Sequence, residues 1–142
     1  MTAENHIQNR RSLSLSGARA LIDAGLSEAR AMGVAVTIVV VDESGRLKAA
    51  ERMDGAPLVS IETATNKAYA AAAIGMPPDD FYDAIKADGA AVASFGTRPG
   101  LALIAGGLPI LADGAVAGGI GVAGAMTGAE DRQIADKAIS AL

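Results

Sequence analysis

Apolar residues change period along this chain, and each change marks an element. Ala18, Leu21, Ile22, Leu26, Ala29 and Met32 recur at helical spacing, with Ser16 placed to cap the helix and Gly33 to end it. Residues 34–41 are then almost all β-branched, Asp42-Glu43-Ser44-Gly45 carries turn chemistry, and residues 46–52 read as the returning strand of a hairpin. Pro57 opens a second helix with an apolar face of Ile61, Ala64, Thr65, Ala68, Ala71 and Ala72, and Gly75-Met76-Pro77-Pro78 stops it. A shorter helical stretch, 79–93, directs Phe81 and Ile85 inward. Strands at 101–105, 108–112 and 115–123 follow, joined by Gly106-Gly107 and Asp113-Gly114 turns. Thr127-Gly128-Ala129-Glu130 is a capping box for a last helix that buries Ile134, Ala138 and Leu142.

Helix, hairpin, two helices, three-stranded meander and helix make an α+β pattern with a five-stranded antiparallel sheet. Turns of two to four residues are too short for the crossovers a parallel sheet needs, which disfavours a doubly wound fold. At 142 residues the chain is one domain's length: residues 15–142 form the domain and residues 1–14 a flexible polar arm. Residues 101–125 carry one charge, Asp113, over a membrane-spanning length, but Gly106-Gly107, Pro109 and Asp113-Gly114 cut them into strand-sized pieces.

Composition narrows the function. A net charge of −4, with no basic run beyond Arg10-Arg11, supplies no stripe for phosphates and argues against nucleic acid as a partner. The absence of cysteine excludes disulfides, thiol catalysis and cysteine-held metal. The N-terminal segment lacks an apolar signal core, so a cytoplasmic location is expected. Half of the residues are apolar yet only 3% are aromatic, so the core is built from small side chains. Such a core buries less area per residue, and self-association into a homo-oligomer is expected to make up the difference.

Four places can carry chemistry. At the end of the second strand, Glu51, Arg52 and Met53 precede Asp54-Gly55, and a guanidinium there pairs well with a carboxylate. In the second helix Asn66 and Lys67 lie among alanines; a lysine so placed is either a desolvated base or nucleophile, or a charge that snorkels or pairs. Thr97 and Arg98 sit in a glycine-bounded loop suited to an oxygen-rich ligand, and Gly106-Gly107 offers backbone N–H groups to an anion or simply turns a hairpin. No metal site or nucleotide fingerprint is apparent.

Ten of the seventeen glycines fall between Gly96 and Gly128. That glycine-rich half, with the 42–52 hairpin and Asn66-Lys67, resembles the GlcG/HbpS family, also found as the C-terminal domain of PduO-type proteins. The resemblance covers residues 16–142. It implies a profilin-like α/β/α sandwich, a pocket entered past the 51–56 motif, and a link to haem or corrinoid handling or to catabolic operons. Haem requires an axial ligand, and His6, Met53, Met76, Tyr69 and Tyr82 are the available donors, none convincing. The expected function is therefore binding of a small carboxylate, or of a tetrapyrrole such as haem, where the 51–56 turn, Asn66/Lys67 and Thr97/Arg98 converge. The alternative is a catabolic enzyme acting on a small oxygenated acid, with Lys67 or Glu51 as base and Arg52 or Arg98 holding the carboxylate.

Overall fold

The computed structural model describes residues 3–142; the first two residues of the expected arm lie outside the described residues. Helix α1 (Leu15–Met32) leads into strands β1 (Thr37–Asp42) and β2 (Leu47–Arg52). Helices α2 (Val59–Ile74), α3 (Pro78–Ile85) and α4 (Gly89–Gly96) follow, then β3 (Gly107–Ala112), β4 (Ala115–Ala123) and α5 (Gly128–Ile139). All strand pairs are antiparallel and the order across the sheet is β2-β1-β4-β3.

Among the described residues the sheet has four strands, not five. Residues 101–105 enter no ladder, for two reasons visible in β3. Gly106, at φ +120°, turns the chain sharply just before it. Pro109 pairs with Gly119 at a register position whose nitrogen faces the open edge, so it has no N–H to offer a further strand. An unbroken apolar run without alternation reads as a buried strand, but here it is a half-buried connection.

Smaller corrections follow from local chemistry. Ser14, not Ser16, caps α1, its side chain accepting the Gly17 N–H at 3.1 Å. The stretch 79–93 is two helices, because Asp88 breaks out of the first and caps the second by accepting the Ala91 N–H. Ile61, Thr65 and Leu142 are exposed rather than inward. Within the arm, a 3-10 turn spans Ala3–His6, Arg11 bonds Asp113, and Leu13 is buried with its N–H on the Ala117 carbonyl.

The sheet's two faces are covered differently. On one, Ile38, Val40, Ile120 and Val122 pack against Leu21, Ile22 and Leu26 of α1 and Ile134, Ala135 and Ala138 of α5. On the other, α2 presents Ala64, Ala68 and Ala72 to Val39, Val41 and Ala123. There the helix backbone nearly touches the strands: a Cβ built on Gly121 would lie 2.0 Å from the Ala64 carbonyl oxygen, and one on Gly119 2.5 Å from that of Ala68. Gly119 and Gly121, with Gly107 of β3, are thus where α2 rests on the sheet.

Candidate functional site: a cleft over a buried ion pair

Lys67 belongs to α2 on one face of the sheet, and Asp131 to α5 on the other. Lys67 Nζ passes the start of β3 and donates to Asp131 Oδ2 and to the Val122 carbonyl, both at 2.9 Å. The lysine is 2% exposed. Gly106 makes the passage possible, since a Cβ there would stand 2.5 Å from the Val122 oxygen and 2.8 Å from Nζ. Gly107 allows the lysine's own backbone to approach in the same way, its missing Cβ 2.6 Å from the Lys67 carbonyl oxygen.

The other carboxylate oxygen, Asp131 Oδ1, accepts the Ala125 N–H at 3.1 Å, tying α5 to the loop that follows β4. Burial pushes the Asp131 pKa above its ordinary value, against the opposing pull of Lys67 and the Ala125 N–H. Removing either partner of such a pair strands a charge in a poorly solvated place, which fixes both side chains.

Above this pair opens a cleft of about 540 Å³. Thr63 and Ser60 of α2 form one wall, and Ala125, Met126, Thr127 and Gly128 form the facing wall. Ile104 and Ala105, from the run expected to be a strand, close a third side. Val59, Ile104 and Met126 are all largely exposed and give the mouth an apolar rim. The start of α5, where backbone N–H groups lie outside the helix ladder, contributes the positive end of its dipole to the wall.

The structure distributes the sequence-derived site residues over three places. Lys67, Gly106 and Gly107 come together at this floor. Glu51, Arg52 and Met53 line a separate hollow with Leu26, Arg30 and Asp54. Glu51 and Arg52 are exposed on the edge strand, whereas the Met53 sulfur accepts the Val36 N–H at 3.4 Å. Arg98 stacks 4.6 Å over the Phe95 ring and, with Tyr69, lines a third, small hollow; Thr97 Oγ1 donates to the Ser94 carbonyl, and half-buried Asn66 faces Gly100. The expected convergence of all three segments in one pocket is not what the fold builds.

Asp131 was missed by sequence reasoning, although a signal existed. It precedes Ile134, Ala135 and Ala138 by three, four and seven positions, which puts a carboxylate on the buried stripe of α5. A charge on a core stripe asks for a partner, and Lys67 among alanines asks for one too.

A family model described as haem degrading protein HbpS-like matches residues 13–140. The chain belongs to this family. Protein GlcG of Escherichia coli (strain K12) is 36% identical over 110 residues, 78% of this chain and 80% of GlcG. Among solved structures, a double mutant of Streptomyces reticuli HbpS superposes with a TM-score of 0.88 at 31% identity, covering 96% of this chain and 91% of that one. A complex of PduOC with haem gives 0.84 at 28% identity, covering 92% and 95%. Membership agrees with the resemblance read from the glycine-rich half, and the α+β architecture agrees with the HbpS-like structures. Among the described residues no helix is long and apolar enough to cross a membrane, and no group of three or more His, Asp or Glu is placed to hold a metal ion.

Proposed function

We propose that this HbpS-like chain binds a small organic ligand in the cleft over Lys67 and Asp131. The observation that carries the reading is the combination of a cleft of about 540 Å³, an apolar rim and a buried, ion-paired floor. The ligand class is a small carboxylate, or a tetrapyrrole presenting its carboxylates, with the α5 N-terminus and Lys67 as donors. Arg52 and Arg98, in the other two hollows, are the competing anchors for the same acid.

Haem enters because one solved relative is a haem complex and the family is described as haem degrading. Among the described residues the cleft lining contains one iron-ligating side chain, Met126, and no histidine or tyrosine. A lone thioether is a poor fit to haem iron; a tetrapyrrole here would be held by its edge and carboxylates.

A second reading, a general acid–base enzyme for small oxygenated acids, is favoured by the 2.9 Å contact between Lys67 and a carboxylate whose pKa is raised. For either reading the protein works as a homo-oligomer; exposed Leu47, Leu58, Val59 and Ile61 supply apolar surface for self-contact.

Calorimetric titration with short-chain carboxylic acids and with haem tests the site. Wild type is expected to bind at least one of them, and Thr63→Phe, which fills the cleft, to weaken it at least tenfold. Arg52→Ala and Arg98→Ala are expected to bind as wild type does. Unchanged affinity in Thr63→Phe, or loss in either arginine variant, would move the site elsewhere.

A further inference from the structure

We propose that Lys67 forms a reversible imine with a small aldehyde or ketone held in the cleft, Asp131 carrying the protons. This inference rests on the cleft being the ligand site. The floor of the cleft has a donor but little net charge, because Asp131 already offsets the Lys67 ammonium. An ammonium has three N–H bonds, and among the described residues two are taken by Asp131 and Val122. The remaining N–H suits an oxygen acceptor, whether a carboxylate or a carbonyl, and a carbonyl is one whose carbon the amine can also attack.

The chemistry balances within the pair. Transfer of one proton from Nζ to Asp131 along their 2.9 Å contact leaves a neutral amine beside a neutral acid. The amine nitrogen bonds to the carbonyl carbon while the carbonyl oxygen takes the proton from Asp131. The nitrogen then returns a proton to Asp131, which passes it to the hydroxyl; water leaves, and the nitrogen lone pair closes a protonated C=N bond. Lysine, carbonyl compound and carboxylate become iminium, carboxylate and one water, with no oxidant or reductant needed. Glycine at 106 leaves room beside Nζ, where a Cβ would stand 2.8 Å away.

Incubation with propionaldehyde and sodium cyanoborohydride at neutral pH, followed by peptide mass mapping, reads the imine directly as a stable propyl label. The comparison is internal, because Lys48, Lys86 and Lys137 are exposed while Lys67 is buried. Burial alone predicts that Lys67 labels last; the imine predicts that it labels first. Asp131→Asn is close in shape and keeps the amine, and in protein shown by circular dichroism to be folded at the labelling temperature it is expected to slow Lys67 labelling at least tenfold without changing the other three. Lys67→Arg keeps the cation and is expected to show only the surface labels. A Lys67 that stays unlabelled while the surface lysines react, or one that reacts equally in Asp131→Asn, overturns the inference. Should carboxylates or haem bind in the titrations above while Lys67 stays unlabelled, the ligand site stands and the imine alone is refuted; absence of both removes the site as well.

Discussion

The two faces of the sheet meet their helices by opposite means. Toward α1 and α5, β1 and β4 present Ile38, Val40, Ile120 and Val122, and the layers are held apart by interdigitated branched side chains. Toward α2, β4 presents Gly119 and Gly121, and helix backbone lies directly on strand backbone. Side-chain packing tolerates local change because tips can rotate and neighbours can refill space; backbone contact has nothing that gives. The close face is also where the candidate site is made. Only a helix seated this near the sheet lets one of its lysines pass the end of β3 and reach a carboxylate on the far layer.

The largest effect that would break this comparison is at Gly121. Its Cβ position lies 2.0 Å from the Ala64 oxygen and 2.5 Å from the Ala68 nitrogen, both backbone atoms. Gly121→Val is expected to abolish folding or cost more than about 4 kcal/mol. Ile120→Val, one residue away but facing α1 and α5, is expected to cost about 0.5–1.5 kcal/mol. Urea denaturation of the two variants gives the contrast; similar losses would mean that the faces are not mechanically distinct.

The same asymmetry explains what could be read from the chain. Helix α1 and strand β1 were legible because Leu, Ile and Val mark the side-chain-packed layer with clear periods. Helix α2 is legible in its centre but not at the margin of its buried face: Ala64, Ala68, Ala71 and Ala72 read inward and are buried, whereas Ile61 and Thr65 look inward by type and are exposed, with Lys67 buried in their place. The run 101–105 reads as a strand because periodicity cannot report that Pro109 and Gly106 refuse it a neighbour. Lys67 was singled out, but its partner lies 64 positions away on another layer. No local pattern joins the two; only the fold does.

Next in size is the ion pair that bridges the layers. Lys67→Met leaves Asp131 without its cation at 5% exposure, and a loss of about 3–5 kcal/mol is expected. Adding Asp131→Asn removes the stranded charge and keeps an acceptor for the Ala125 N–H, so the double variant is expected to recover about 1–3 kcal/mol of that loss. Melting curves of wild type, both single variants and the double variant close the cycle. A double variant no more stable than Lys67→Met would mean that the lysine stabilises by its packed stem, not by its charge.

The smallest expected effect sharpens the comparison most. Gly25 of α1 faces the side-chain-packed layer, and a Cβ there would lie 2.6 Å from Ile38 Cδ1, nominally a clash as severe as those on the α2 face. Its other neighbours, Ala138 Cβ and Ile134 Cγ2, stand at an ordinary 3.6 Å. The obstructing atom is therefore the rotatable end of one isoleucine, whose displacement costs on the order of 1 kcal/mol as an off-rotamer strain. Against that, alanine is favoured over glycine within a helix by about 0.8–1 kcal/mol. The two nearly cancel, and Gly25→Ala is expected to melt within a few degrees of wild type. Gly119→Ala makes the matched test on the other face: its Cβ would meet the Ala68 carbonyl oxygen at 2.5 Å, with the Ala72 nitrogen at 3.1 Å. It adds the same methyl but meets backbone, and a loss of several kcal/mol is expected there. Equal melting temperatures for the two variants would show that the distance of a clash matters more than what is struck, and the distinction between the faces would fail.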